Sequence, residues 1–370
     1  MKRSMRMALS LAACVVGFYA SAASAEIQIA VAGPITGQYA ALGEQIRQGA
    51  EAAAKAINAK GGVLGEQVKV VVEDDVGDPK QGVSVANRIV GNGIKFVIGH
   101  FNSGVSIPAS EVYAENNVVM VTPGSTNPLL TSRGLQDVFR VCGRDDQTAS
   151  VAARYMVAHF KNSKIAIIDD KTQPAIGLAD GVESELKKAD ITPVMRDSIN
   201  PGEKDFSVFL GKLKAANVDL LYYTGGDPEA GLIARQAHES GQKLQLFSTD
   251  GIATSEFPAI AGPASEGAVF VFGLDARQSS SAQAVVAEMR AQGIEPEGFT
   301  LYGYAAMQVI AQGMEKSQKA DPQGVIDALH DTANTFHTVL GPRSYDKNGD
   351  ITQDDFAVYV WKGNKYIVAK

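Results

Sequence analysis

The sequence predicts an α/β protein made of two doubly wound lobes, each a parallel sheet with helices on both faces. Short apolar runs alternate with helical stretches along most of the 370-residue chain. Most runs are continuous and do not alternate with polar residues, which is typical of strands buried on both faces of a parallel sheet. The alternation begins near residue 26 and again after residue 144, which indicates two units of similar size.

The first unit opens with a strand predicted at residues 27–32, which Gly33 and Pro34 end. The helix predicted at 43–60 has small and aliphatic residues at intervals of three and four, the pattern of one buried face. Gly61 and Gly62 stop this helix, because glycine accepts the left-handed conformation that follows a helix end. The other elements predicted for this unit are strands at 68–72, 95–99, 118–121 and 139–142 and helices at 78–90 and 105–115.

The second unit repeats the same alternation. Ligands bind outside the carboxyl ends of the strands in such sheets, so two facing units predict a cleft at their junction. The predicted elements are helices at 151–160, 178–188, 206–215 and 228–240 and strands at 165–168, 219–223, 244–247 and 268–271.

Residues 1–25 have the composition of a cleaved secretory signal peptide. Lys2, Arg3 and Arg6 precede an apolar run of about 14 residues, and Ala23-Ser24-Ala25 is a small-x-small cleavage site. Cleavage there would make Glu26 the first residue, and the run is too short to span a bilayer as a helix. We therefore expect a periplasmic protein.

Two other fates of this segment are a retained membrane anchor and lipid attachment at Cys14. Leu11-Ala12-Ala13-Cys14 resembles a lipobox. The apolar run before Cys14 is short, however, and the tether that would follow it, residues 15–18, is apolar where a tether should be solvated. Cleavage after residue 25 is the better prediction.

Charge and cysteine content exclude some classes of protein. The net charge of −7 would become about −10 on removal of residues 1–25, which argues against nucleic-acid binding. Cys142 would be the one remaining cysteine, so no intramolecular disulfide could form. A chain of about 345 residues can bury an adequate core without disulfides, and we predict that Cys142 is a small buried residue in a monomeric, exported protein.

Eight short motifs occur in order along nearly the whole chain after residue 25, and together they resemble those of a known family. They are INAKGG at 57–62, DDVGDPKQ at 74–81, VIGH at 97–100, TPGST at 122–126, GEKDF at 202–206, PEAG at 228–231, RQA at 235–237 and YAA at 304–306. This set resembles the leucine/isoleucine/valine-binding proteins of bacterial branched-chain amino-acid ABC transporters.

The resemblance implies a type I periplasmic-binding fold, in which the chain crosses three times between two lobes. One lobe would comprise residues 26–144 and 275–350, and the other residues 145–274 and 351–370. It further implies a solute-binding protein that delivers an amino acid or a similar small molecule to the permease subunits of an ABC importer, with no catalytic activity and no cofactor. The alternatives are a ligand-sensing subunit of a signalling system, or a receptor for a small carboxylate or amide.

The carboxylate of such a ligand would be held at two strand-to-helix turns of the first lobe. Helix N-termini carry free backbone N–H groups and a positive dipole end, which suit a carboxylate. Ser103 stands before a predicted helix, and Thr126 follows a predicted strand in the turn Gly124-Ser125-Thr126. The resemblance assigns both hydroxyls and the Gly124 backbone to the carboxylate. A helix cap and a simple turn are the structural alternatives.

The ligand ammonium needs an anion, since a buried charge without a partner is costly. Asp250 follows the strand predicted at 244–247, and the resemblance places an acidic residue for the amine at this position. Asp250 is about one methylene shorter than the glutamate expected there. Asp227 is a second candidate acid.

The resemblance also identifies the walls of the cleft. Leu42, Pro174 and Gly226 occupy positions where aromatic residues commonly flank the ligand, so this chain departs from the family pattern at all three. Phe101 and Phe299 remain as candidate apolar walls. Branched-chain specificity is therefore not implied, whereas the amino-acid class is.

The sequence contains one segment that resembles the start of a calcium loop, Asp346 to Asp350. Counted from Asp346, the sixth and twelfth positions of an EF-hand would be Ile351 and Ala357, which are neither the required glycine nor the required glutamate. We predict a hairpin turn here and no metal site.

Overall fold

The computed structural model describes residues 26–353 and 355–369, which form two sheets covered by helices. The proposed signal peptide, residues 1–25, lies outside the described residues. The first sheet is entirely parallel, in the order β2-β1-β3-β4-β5. Its strands are β1 Glu26–Gly33, β2 Gln67–Asp74, β3 Phe96–Gly99, β4 Val119–Thr122 and β5 Val138–Arg140, and its helices are α1 Ala40–Asn58, α2 Pro79–Gly91, α3 Ser103–Glu115 and α4 Leu129–Ser132.

The second sheet follows the same plan. Strands β6 to β10 of this sheet run parallel to one another. They are β6 Ile165–Asp169, β7 Met195–Ser198, β8 Leu220–Tyr223, β9 Gln245–Ser248 and β10 Val269–Gly273, and the accompanying helices are α5 Asp145–His159, α6 Gln173–Lys188, α7 Ser207–Ala215, α8 Asp227–Glu239 and α9 Glu256–Ala261.

The chain after β10 adds helices beside the first sheet and two strands to the second. Its elements are α10 Gln283–Ala291, α11 Thr300–Ser317, α12 Pro322–His330, β11 Phe336–Thr338, β12 Gly341–Arg343, β13 Phe356–Lys362 and β14 Lys365–Val368. Helix α11 packs against α1 and β3 of the first sheet, and α12 packs against α11. Strands β13 and β14 extend the second sheet in antiparallel fashion beside β10.

The chain therefore passes between the two sheets three times: between β5 and β6, between β10 and α11, and between β12 and β13. The lobe boundaries predicted at residues 144, 274 and 350 lie in these passages and remain predictions.

The continuous apolar runs form strands that are buried on both faces, as predicted. Along β1, Ile29 and Val31 contribute to the core on one face, whereas Ala30 and Ala32 contribute to a separate core on the other. All four residues are at most 1% exposed. Burial of both faces removes the need for polar residues in the strand and explains why the run shows no alternation.

Several elements begin earlier than predicted or were not predicted at all. Helix α5 begins at Asp145, before the predicted residue 151; its first turn is polar and lacks the apolar periodicity on which the prediction depends. Helix α6 begins at Gln173, before the predicted residue 178. Strand β7 is polar and half-buried, so it has no apolar run. Strand β13 does have an apolar run but was not among the predicted strands, and neither was β14, which is short and mostly exposed.

The predicted turn at residues 346–350 is a hairpin turn. Tyr345 and Ile351 form an antiparallel bridge, and the Asp346 amide donates to the Asp350 carbonyl at 2.9 Å. In the part of the chain that the structure describes, no group of three or more His, Cys, Asp or Glu side chains is arranged to hold a metal ion. None of the helices in those residues is both long and apolar enough to cross a membrane.

Asp350 joins two arginines where the chain passes between the sheets. The Arg140 Nε donates to Asp350 Oδ1 at 2.6 Å, and the Arg144 Nη1 donates to Oδ2 at 2.9 Å. Arg140 is fully buried and also donates to the Ser125 carbonyl at 2.5 Å. Burial raises the pKa of Asp350, but the two arginines lower it by more than burial raises it. The pKa of Asp350 therefore lies below its usual value.

Asp350→Ala should lower the free energy of unfolding by about 3–5 kcal/mol, because Arg140 would stay buried without its anion. Chemical denaturation monitored by circular dichroism measures this change, with Lys347→Ala, an exposed neighbour, as the control. Equal stabilities of the two variants would contradict this role of Asp350.

Candidate functional site

A cavity lies between the two sheets, at the carboxyl ends of strands from both. Its empty volume is ≈ 460 Å³, part of which is open to solvent. Such a position suits a small-molecule site in an α/β protein. The lining residues are Tyr39, Leu42, Phe101, Asn102, Ser103, Gly124, Thr126, Thr172, Pro174, Ala175, Leu178, Thr224, Gly225, Thr249, Asp250 and Gly251.

The cavity brings together seven of the eleven site residues suggested by the sequence and leaves four outside its lining. Those in the lining are Leu42, Phe101, Ser103, Gly124, Thr126, Pro174 and Asp250, and those outside it are Ser125, Phe299, Gly226 and Asp227.

Neutral hydrogen-bonding groups of the first sheet form one side of the cavity. Ser103 is the first residue of α3, and its Oγ accepts a hydrogen bond from the Asn127 amide at 3.2 Å. The first N–H groups of a helix have no acceptor within the helix and carry the positive end of its dipole. Thr126, half-buried, lies beside this helix start in the turn after β4 and also lines the cavity. This side can therefore donate hydrogen bonds to an anion without carrying a formal positive charge.

Ser125 stabilises the loops behind this side. Its Oγ is fully buried and lies 2.5 Å from the Ser106 Oγ and 2.9 Å from the Phe101 carbonyl, to which it donates. It thus links the turn after β4 to the turn after β3, and its hydroxyl does not reach the cavity lining.

Gly124 and Phe299 determine where Phe101 lies. A Cβ on Gly124 would come within 2.5 Å of Phe101 Cδ2, so only glycine lets the ring lie against this turn. Phe299, which is 2% exposed, packs edge-on against Phe101 with ring centroids 5.0 Å apart. Phe101 is thus the apolar wall, and Phe299 supports it from behind.

Asp250 provides the acidic group of the opposite side. It begins a short turn, Asp250–Ile252, directly after β9 and Thr249. Burial raises the pKa of Asp250 to about 6, although hydrogen bonds from Thr249 and from backbone N–H groups lower it in part. Among the described lining residues there is no lysine, arginine or histidine. A cation would therefore be attracted to this side, and an anion would be repelled.

Asp227, the second candidate acid, is oriented away from the cavity. Its carboxylate accepts a hydrogen bond from the Thr254 hydroxyl at 2.5 Å, and it is 2% exposed. Burial raises its pKa to about 7. The structure thus places Asp227 in the packing between α8 and the segment before α9.

A further acid, Asp145, lies next to the cavity and was not singled out from the sequence. It is the first residue of α5 and is 5% exposed. Neither of its carboxylate oxygens has a hydrogen-bond partner among the described residues. The pKa of Asp145 is raised to about 7, mainly by burial. The Thr126 hydroxyl and the Arg140 charge lower this pKa, and the negative charge of Asp250 raises it. Its position after β5, at the carboxyl edge of the sheet, is the signal that could have identified it.

Two residues of the loop between β1 and α1 reach across the cavity to the second sheet. The Tyr39 hydroxyl donates to Asp170 Oδ2 at 2.9 Å, and the Gln38 Nε2 donates to Glu229 Oε2 at 3.2 Å. The structure is therefore a closed arrangement with direct contacts between its halves. These pairs could not be predicted from the sequence, because their members are more than 100 residues apart.

Asp145→Asn should stabilise the protein most at high pH. The pKa of Asp145 in the fold, about 7, lies above its ordinary value. The stability that this group contributes is therefore present at low pH and lost as the pH rises through 7, where an unpaired charge is buried. We expect a gain of about 1–3 kcal/mol at pH 8 and a smaller one at pH 4.5. Thermal unfolding at both pH values measures it.

Asp146→Asn is the matched control, since Asp146 is adjacent but exposed. A gain for Asp145→Asn that is the same at both pH values would contradict the buried, unpaired charge.

The fold and sequence are similar to those of known proteins over nearly the whole chain. A family model described as periplasmic binding protein matches residues 26–365. Leu/Ile/Val-binding protein homolog 1 from Brucella suis biovar 1 (strain 1330) is 45% identical over 362 residues, which cover 98% of this chain and 97% of that protein. The Leu/Ile/Val-binding protein BraC3 of Rhizobium johnstonii is 44% identical over 353 residues, or 95% and 96% of the two chains.

A solved structure agrees with these matches. The crystal structure of a leucine binding protein, LivK, from Thermotoga maritima MSB8 has a TM-score of 0.84 at 27% identity, covering 93% of this chain and 98% of that one. The predicted fold class and the family resemblance are thus confirmed. The chain belongs to the periplasmic binding protein family and has the type I periplasmic-binding fold.

Proposed function

We propose that the chain is an exported receptor that closes on an amino acid or a closely similar zwitterion and delivers it to the permease subunits of an ABC importer. One observation carries the proposal: neutral donors at the start of α3 and the acid Asp250 line opposite sides of one cavity. The names of the relatives, which are Leu/Ile/Val-binding proteins, support the same class of ligand.

The charges of the lining favour a zwitterion over the alternative ligands. A carboxylate can be held by Ser103, Thr126 and backbone N–H groups, while an ammonium pairs with Asp250. Among the described lining residues, the one formal charge is that of Asp250, which is negative and would repel a simple carboxylate. A neutral amide would leave Asp250 without a cation, which is costly when the lobes close over it. We therefore place small carboxylates and amides behind amino acids.

The walls of the cavity favour an aliphatic side chain on the ligand. Leu42, Phe101, Pro174, Ala175 and Leu178 contribute apolar surface on both sides. Burial of apolar surface stabilises binding by roughly 25 cal/mol per Å². The positions of Leu42 and Pro174 still lack the aromatic rings that the resemblance leads one to expect, so we propose an apolar amino acid without committing to a branched one.

Closure of the two lobes over the ligand provides the mechanism. A ligand that contacts both halves favours the closed form, because only that form satisfies its two charged ends together. The closed surface is the form that the permease would recognise. We also propose a periplasmic, monomeric protein released by cleavage after residue 25, and a binding role without catalysis.

Calorimetry with three matched compounds tests this function directly. These are an apolar amino acid such as leucine, the carboxylic acid of the same skeleton without the amine, and the neutral amide of that acid. We expect the amino acid to bind at least 100-fold more tightly than the other two, since each of them leaves one group of the site unpaired. Absence of binding for a panel of zwitterions, or tighter binding of the simple acid, would overturn the proposal.

Asp250→Ala should weaken amino-acid binding by about 100- to 1,000-fold, because the buried ammonium would lose its partner. Asp227→Asn is the matched control, since this second buried acid lies outside the lining, and its affinity should match that of the wild type. The reverse order of effects would show that the amine is held by Asp227.

The affinity should also fall as the pH falls through about 6. Protonation of Asp250, whose pKa is raised to about 6, removes the negative charge that attracts the ammonium. We expect about tenfold weaker binding at pH 5 than at pH 7.5. The Asp250→Asn variant should bind weakly at both pH values. A wild-type affinity that does not change over this range would contradict an ionised Asp250 as the partner.

A further inference from the structure

We infer that Tyr39 sets the depth of the ligand cavity, and that Tyr39 and Gln38 form a clasp that holds the lobes closed through direct contacts. As a determinant of ligand size, Tyr39 rests on the proposed function. The clasp does not, because its contacts involve no ligand.

The acceptor of the Tyr39 hydroxyl is rigidly held. Asp170 is fully buried at the end of β6, and its Oδ1 accepts hydrogen bonds from the Thr172 amide at 3.0 Å and the Thr172 hydroxyl at 2.6 Å. Its Oδ2 accepts from Tyr39 across the cavity at 2.9 Å. Because the second lobe fixes this carboxylate, the bond fixes the position of the tyrosine ring.

Gln38 repeats the arrangement one residue earlier. Glu229 is 1% exposed, and its Oε1 accepts from the Gly202 amide at 2.7 Å. Its Oε2 accepts from the Gln38 side-chain amide at 3.2 Å. Two adjacent residues of one lobe thus donate to two buried acids of the other, and each acid is already oriented by its own lobe.

Gly226 leaves the space into which this clasp fits. A Cβ at residue 226 would lie 3.1 Å from Tyr39 Cε1 and 3.4 Å from Gln38 Nε2. A large side chain there would occupy the volume that the ring and the amide now fill. The aromatic wall missing from the second lobe at residue 226 is therefore replaced by a ring from the first lobe.

This replacement has a consequence for ligand size. The Tyr39 ring lines the cavity and tilts against Phe101, with centroids 6.0 Å apart. A ligand side chain that is too long would displace the ring and break its hydrogen bond to Asp170. A long side chain would therefore weaken binding in two ways, by steric overlap with the ring and by loss of the hydrogen bond that stabilises the closed form. The site would select ligands with short side chains.

The first arm of the experiment measures closure without ligand. Spin labels at Lys80→Cys, in α2 beside the first sheet, and at Lys204→Cys, between β7 and α7 beside the second, report the distance between lobes in a Cys142→Ala background; both lysines are exposed. With the wild-type loop, we expect part of the population to have a short distance between the labels. Tyr39→Phe and Gln38→Ala should each reduce the fraction of molecules at that short distance. Tyr155→Phe, in the packing of α5 against Phe247, is the control. Distance distributions that are the same in all four proteins would overturn the clasp, whatever the ligand is.

The second arm measures ligand rank order by calorimetry with alanine, valine, leucine and phenylalanine. Tyr39→Phe keeps the ring and loses one hydrogen bond, so we expect about 3- to 10-fold weaker binding of every ligand that binds the wild type, with the order unchanged. Tyr39→Ala should shift the order toward leucine and phenylalanine by about tenfold or more relative to alanine. An unchanged order in Tyr39→Ala would overturn Tyr39 as the depth-setting wall.

A double-mutant cycle separates direct contact from general damage. Gly226→Ala should weaken binding in the wild type, because its Cβ would press on the ring, and should have little effect in a Tyr39→Ala background. Equal effects of Gly226→Ala in both backgrounds would contradict the proposed contact. If no zwitterion binds the wild type, the proposed function fails while the first arm still decides the clasp.

Discussion

The organisation of the binding cavity depends on an uneven distribution of charge between its two sides. Asp250 faces the cavity from the second sheet, and the described lining residues include no basic side chain. The first sheet contributes hydroxyls, backbone amides and the start of α3 instead. A ligand with one negative and one positive end satisfies both sides, and its binding therefore connects the two lobes. This constraint explains why Asp250 can be half-buried at the cost of a raised pKa.

Topology creates this arrangement. In both sheets the parallel strands end at the edge that faces the other sheet, so the turns after β1, β3, β4, β6, β8 and β9 deliver side chains to the same cavity. The three passages of the chain between the lobes keep these edges opposed, and the buried Arg140–Asp350 pair stabilises the structure beside two of them. Direct contacts from Gln38 and Tyr39 then bring the edges together on the side where Gly226 leaves room.

Much of this could be predicted from the sequence, and the failures have physical causes. Strands such as β1 have continuous apolar runs because both faces are buried, whereas β7 is polar and half-buried and shows no such pattern. Ser103 and Asp250 could be proposed from their positions after strand ends. The pairing of Tyr39 with Asp170 could not, because it joins distant residues of different lobes and leaves no local pattern. Gly226 suggested a missing wall, and only the structure shows which ring fills that space.

The crystal structure of the protein bound to its tightest-binding amino acid is the most direct test of this charge arrangement. We expect the ligand carboxylate within hydrogen-bond distance of the Ser103 and Thr126 hydroxyls, and the ligand nitrogen within the same distance of the Asp250 carboxylate. A ligand bound in the reverse orientation, or one seated away from all three side chains, would contradict it.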